Sequence, residues 1–186
     1  GAIKNNALAM NPNEKMAVVA SSENSEVVIY DLVNGKVQGV LKNYVTPRNI
    51  IFAPDGKSFY ISDSSKGVVD RIDSESFQTI NQYAIGPGAF GTALNSDGKA
   101  LYVNNQSSDS VTVMNTETGV AQAVIKGFAQ PRQGVQLSPD GHRLYVTNFL
   151  GDKITIVDTA GNKIIGEISG FNKIRAISVT GDGKTL

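Results

Sequence analysis

The chain reads as short strand-like apolar runs separated by turn-forming Asp, Asn, Gly and Pro. Helical spacing of apolar positions is not sustained over any useful length. Over one representative stretch, run a is Asn49 to Ala53, followed by the turn Pro54-Asp55-Gly56-Lys57. Run b is Ser58 to Ser62, run c is Val68 to Ile72 after the polar loop Asp63 to Gly67, and run d is Phe77 to Tyr83 after a turn that starts at Asp73. The same set recurs along the chain. Aligned on the Asp of the a-to-b turn, Asn in the first copy, the copies fall at Asn13, Asp55, Asp97, Asp140 and Asp182, with steps of 42, 42, 43 and 42 residues.

Each turn carries its own physical reason. Pro presets φ, the Asp side chain bonds the backbone two residues on, and Gly accepts the positive φ that closes the hairpin. Pro54-Asp55-Gly56, Ser96-Asp97-Gly98, Pro139-Asp140-Gly141 and Gly181-Asp182-Gly183 keep this chemistry. Pro12-Asn13-Glu14 lacks the Gly, so a looser or different turn is expected there. Run c ends on Asp31, Asp73, Asn115 and Asp158, which predicts Asx turns into run d.

Four strands per unit of about 42 residues predict an all-β fold, a β-propeller of four-stranded antiparallel blades, because one such sheet cannot bury both faces alone. Run b carries a signature: Tyr145-Val146-Thr147-Asn148, aligned with Tyr102-Val103-Asn104-Asn105 and Tyr60-Ile61-Ser62-Asp63. With the Pro-Asp-Gly turn before it, this pattern resembles the YVTN-type β-propeller repeat family of bacterial and archaeal surface and periplasmic proteins. The blades are expected at residues 6–46, 47–88, 89–130 and 131–173 of a single propeller domain, with a partial fifth at 174–186. Ile174 to Thr180 is read as strand a of that fifth copy. The segment is therefore expected to belong to a larger ring, of seven blades as the resemblance implies.

Charge and composition narrow the partners. Seventeen basic and 17 acidic residues cancel, which leaves no broad electrostatic footprint for nucleic acid. The absence of Cys rules out disulfides and thiolate sites. No apolar run approaches the length of a membrane span, so no membrane insertion is expected. His142, the single His, sits beside an a-to-b turn where other copies have Lys57, Lys99 and Lys184, and is read as a solvated turn residue. No catalytic residue, metal site or cofactor is predicted.

One feature exceeds what the fold requires. Three d-to-a junctions run from an aromatic residue to an Arg: Tyr44 to Arg48, Phe128 to Arg132 and Phe171 to Arg175. The remaining junction, Ile85 to Phe90, has lost the Arg. In a propeller this junction lies at the rim of the central channel, so Arg48, Arg132 and Arg175, with Phe90, are the candidate ligand-binding residues. Guanidinium groups suit planar bidentate capture of carboxylate or phosphate. The competing reading is that each Arg ties blades together through a polar partner such as Asp63.

The polar b-to-c loops face the same side, and Phe149 and Leu150 stand out there as apolar, either packed under the loop or marking a partner contact. Asp70 and Arg71 interrupt run c where other copies are apolar. They are read as exposed charges weakening a blade edge, or as a partner contact.

The reading that follows is a non-enzymatic binding or scaffold propeller, whose partner is another protein or a small anionic ligand. The resemblance implies a periplasmic or cell-surface location. The alternatives are an enzyme domain, since similar propellers include lactone hydrolases and the haem-d1 part of nitrite reductases, and single-stranded nucleic-acid binding across the Arg and aromatic rim.

Overall fold

The computed structural model describes residues 6–21 and 24–186. It is all-β: sixteen strands form four antiparallel sheets of four, each in sequential order. The sheets are β1–β4 (Asn6–Met10, Met16–Ser21, Glu26–Asp31, Lys36–Leu41) and β5–β8 (Pro47–Phe52, Ser58–Asp63, Val68–Asp73, Thr79–Ala84). They continue as β9–β12 (Ala89–Leu94, Ala100–Asn105, Ser110–Asn115, Ala121–Lys126) and β13–β16 (Pro131–Leu137, Arg143–Asn148, Lys153–Asp158, Lys163–Ser169).

The turn chemistry accounts for this regularity. In every a-to-b turn the Asx side chain accepts the backbone N–H two residues on, from Asn13 and Lys15 through Asp55 and Lys57 to Asp182 and Lys184. Gly56, Gly98, Gly141 and Gly183 follow at φ between 70° and 74°. The first turn does not loosen. Glu14 takes φ 59° and its N–H donates to the Asn11 carbonyl at 2.8 Å, matching Gly56 to Ala53 at 2.9 Å. A non-glycine residue holds the left-handed conformation there at a cost of about 1 kcal/mol. The c-to-d turns close on Asp31, Asp73 and Asn115, each accepting two backbone N–H groups, and on Asp158, which accepts from Gly161.

Each c–d pairing also carries a register shift, between Ile29 and Tyr30, Arg71 and Ile72, Val113 and Met114, and Ile156 and Val157. Such an irregularity adds local twist, and its recurrence at one repeat position marks it as part of the blade.

The chain divides into two compact units, residues 1–89 and 90–186. In the first, Val18, Val27, Ile29, Ile50, Phe59, Ile61 and Ile72 form the core, capped by the junction aromatic Tyr44. In the second, Val111, Val113, Ile125, Val135, Leu144, Val146 and Val157 do so, capped by Phe128. The b strands are the most deeply set, with every residue of β6 buried.

One expected strand does not form. Ile174 to Thr180 joins no sheet among the described residues, although its turn closes, with the Gly183 N–H donating to the Thr180 carbonyl at 2.8 Å. A turn is satisfied locally, whereas a strand needs a ladder partner.

Candidate functional site

The junctions between sheets are held by side chains at the ends of the b strands and in the b-to-c loops. Asp63, fully buried, accepts the N–H groups of Val45 at 2.7 Å and Thr46 at 3.2 Å from the junction, and those of Ser65 and Lys66 from its own loop. Asn148 plays the corresponding part in the fourth sheet, accepting the Ala129 N–H at 2.8 Å. Asp109 and Asp152, both left-handed, take the N–H groups of Gln130 at 2.7 Å and Lys173 at 2.6 Å. Each junction is thus tied down two residues before its Arg. Residues 22 and 23 of the first b-to-c loop lie outside the described residues.

Gly67 shows how tight this packing is. At φ +69° it lies so close to the next junction that a Cβ would stand 2.5 Å from the Gly86 carbonyl carbon, and its own carbonyl accepts the N–H groups of Ile85 and Gly86. Gly86-Pro87-Gly88 is a connector bonded to that loop.

On this frame the arginines diverge. Arg48 is partly buried and its Nε–H donates to Ser64 Oγ at 2.9 Å; burial pulls its pKa down, and the Asp63 charge opposes that pull. Asp63 spends its hydrogen bonds on backbone N–H groups. Arg132 occupies the same repeat position in the fourth sheet, but there the residue matching Ser64 is Phe149. The Arg132 guanidinium lies over the Phe149 ring at 3.7 Å, and Arg175 lies over the same ring at 5.2 Å. Arg132 Nη2 also donates to Gln130 Oε1 at 3.3 Å, while the Phe149 N–H donates to the Gln130 carbonyl.

Because both distances are measured to one centroid, 3.7 Å and 5.2 Å, the two guanidinium carbons are at most 8.9 Å apart. Two like charges gathered that closely around one aromatic ring form a local cationic spot in a chain of zero net charge. Among the described residues Arg175 makes no salt bridge.

The other candidates fall differently. Phe90, in the slot of Arg48, is 2% exposed and is a core residue, so it offers no rim surface. Leu150 is 61% exposed and lines an open cleft of about 370 Å³ with Ser107, Phe128 and Gln130. Asp70 is not at an exposed edge. Its strand β7 is paired on both sides, by β6 and β8, and the side chain is 6% exposed. Arg71 packs too, its Nε–H donating to Ser58 Oγ at 3.0 Å and its guanidinium 5.7 Å from the Tyr60 ring. His142 is exposed at its turn, and no three His, Cys, Asp or Glu side chains cluster among the described residues.

Interblade ties went unseen in the sequence. Asn104 Nδ2 donates to the carbonyls of Arg132 at 2.8 Å and Gly134 at 3.3 Å, and Thr147, one repeat later, donates to the Arg175 carbonyl at 3.3 Å. The third residue of the signature strand therefore fixes the backbone of the next Arg. Only the aligned register of Asn104 and Thr147 hinted at it.

The sequence profile of the family described as "Lactonase, 7-bladed beta-propeller" matches residues 7–163. The chain belongs to the lactonase seven-bladed β-propeller family. Solved structures resemble this propeller widely, 1415 chains in all. Among them is the hydrazine synthase of Kuenenia stuttgartiensis, with a TM-score of 0.87 at 22% identity. That match covers 96% of this chain and 53% of the other, so the lactonase-family chain spans about half its length. At that identity the likeness is one of fold. No curated protein matches.

Proposed function

We infer that this part of the propeller is a binding surface for a small anion, with Arg132 and Arg175 as the capturing groups and Phe149 as the platform that holds them. The observation that carries it is the pairing of two guanidinium groups on one ring, 3.7 and 5.2 Å from its centroid. Phe149 carries no charge to cancel the guanidinium groups, whose planar forks suit carboxylate or phosphate oxygens. The test is calorimetric titration of the chain with inorganic phosphate and with succinate. Arg175→Gln should weaken binding at least tenfold with little change in the urea midpoint. Equal binding by that variant refutes the reading.

A second reading, lactone hydrolysis, is favoured by the family match over residues 7–163. Under it the same arginines would hold the acidic portion of a lactone or its carboxylate product. A pH-stat assay over a panel of lactones tests it, and turnover indifferent to Arg132→Ala and Arg175→Gln would remove this face from the reaction. The resemblance to YVTN-type proteins supports a periplasmic or cell-surface location and a protein partner, which cell fractionation and cross-linking test.

A further inference from the structure

A second polar site lies in the first unit, where one blade departs from the other three. At the matching position of strands c and d, Val28 pairs with Val40, Thr112 with Val124 and Thr155 with Glu167, with no acid on strand c. The second sheet places Asp70 opposite Gln82. The junction aromatic beside it changes too, being Tyr44 where two later junctions have Phe128 and Phe171. Gln82 Nε2 donates to Asp70 Oδ1 at 2.8 Å, and the Tyr44 phenol lies within the field of the Asp70 carboxylate. Burial pushes the Tyr44 phenol pKa up, with the Asp70 charge adding to it, so the phenol stays a donor.

A scaffold that fills this strand-c position with Val28, Thr112 and Thr155 has no packing need for a carboxylate there. Burying one is costly unless a cation meets it. Asp70 is 6% exposed and makes no salt bridge among the described residues. Arg71 projects to the opposite face, toward Ser58 and Tyr60. Asp70 instead lines an open cleft of about 320 Å³, whose walls include Val40, Leu41 and Ile72 and whose polar lining also includes Lys42, Asn43, Lys66 and Gln82. Lys66 stands at this cleft with Nζ donating to the Asn43 carbonyl at 3.0 Å and lying 5.9 Å from the Tyr44 ring.

We propose that this cleft binds a primary alkylammonium group, with Asp70 as its counter-ion, Gln82 holding the carboxylate in place, and Val40, Leu41 and Ile72 flanking the alkyl chain. The group can come from a free amine or from a lysine side chain of a polypeptide. Lys42 and Lys66 are competing charges along the cleft, which limit affinity.

The test is titration of the whole chain with n-butylammonium and with Nα-acetyl-lysine methylamide, the better binder assigning the source. Asp70→Asn should weaken binding at least tenfold, with urea unfolding to confirm that it folds. Lys66→Met, a surface change that leaves Asp70 in place, should tighten binding severalfold. No binding of either probe, equal binding by Asp70→Asn, or weaker binding by Lys66→Met overturns the proposal.

Discussion

Replacing Asp63 with Ala removes a buried carboxylate that accepts four backbone N–H groups, from Val45, Thr46, Ser65 and Lys66, at 2.7 to 3.2 Å. Bonds to a charged acceptor contribute about 1.5–3 kcal/mol each when nothing replaces them. Val45, Ser65 and Lys66 are exposed, so water reaches their freed N–H groups and about 1 kcal/mol net per bond is the better figure. The expected loss is about 4 kcal/mol, a large share of a typical domain's stability. Asp63→Asn should cost only about 1–2 kcal/mol, because Oδ1 still serves Thr46, Ser65 and Lys66 while Nδ2 faces the Val45 N–H, donor against donor. Equilibrium urea unfolding separates the two. With an m-value of about 1–3 kcal/mol/M, the Ala variant should lose more than about 1 M in midpoint at unchanged m. An Ala variant within about 1 kcal/mol of the parent, or an Asn variant as costly as Ala, refutes the claim that these bonds hold the junction.

Three further outcomes are expected. Phe149→Leu should weaken phosphate binding about five- to thirtyfold, since each guanidinium loses a contact of about 0.5–1 kcal/mol, while the melting temperature barely moves. Gly67→Ala should destabilise by about 2–4 kcal/mol in urea unfolding, because the residue is held at φ +69° and a Cβ would lie 2.5 Å from the Gly86 carbonyl carbon. The turn carboxylates Asp31, Asp73, Asp140 and Asp182 have pKa values lowered by the hydrogen bonds they accept, from the Asn34 side chain, the Ser76 N–H, the Ser138 hydroxyl and the Thr180 hydroxyl first in each case. Their stabilising effect is present above the unfolded value of about 4 and is lost as pH falls through the lower folded values. Melting temperature should therefore drop below about pH 4, and Asp73→Asn should flatten part of that drop.

The blade pattern was legible because its determinants are local: Asx at a fixed step, Gly or a tolerant residue after it, and short apolar runs between. What needed three dimensions was anything set by pairing. Ile174 to Thr180 has strand composition but no ladder, whereas Gly181-Asp182-Gly183 closes unaided. Asp70 and Arg71 read as surface charges because adjacent polar residues usually mark an edge. Strand β7 is internal, and alternation sends Asp70 to a cleft and Arg71 to Ser58 and Tyr60. The Arg positions could be read from the repeat, yet their fates could not. Phe90 is buried, Arg48 bonds to Ser64, and Arg132 shares Phe149 with Arg175, because what each meets is supplied by a loop sixteen or more residues away.

Ser64, Gln106 and Phe149 occupy one slot, the residue after the conserved-geometry end of strand b, and that slot sets how the facing strand-a residue is presented. The blade thus separates an invariant mechanical part from a one-residue adjustable contact. Ser64→Phe alone should exchange a hydrogen-bonded Arg48 for a stacked one, so new recognition faces can be written onto this propeller at a loop tip while the sheets, turns and core are left alone.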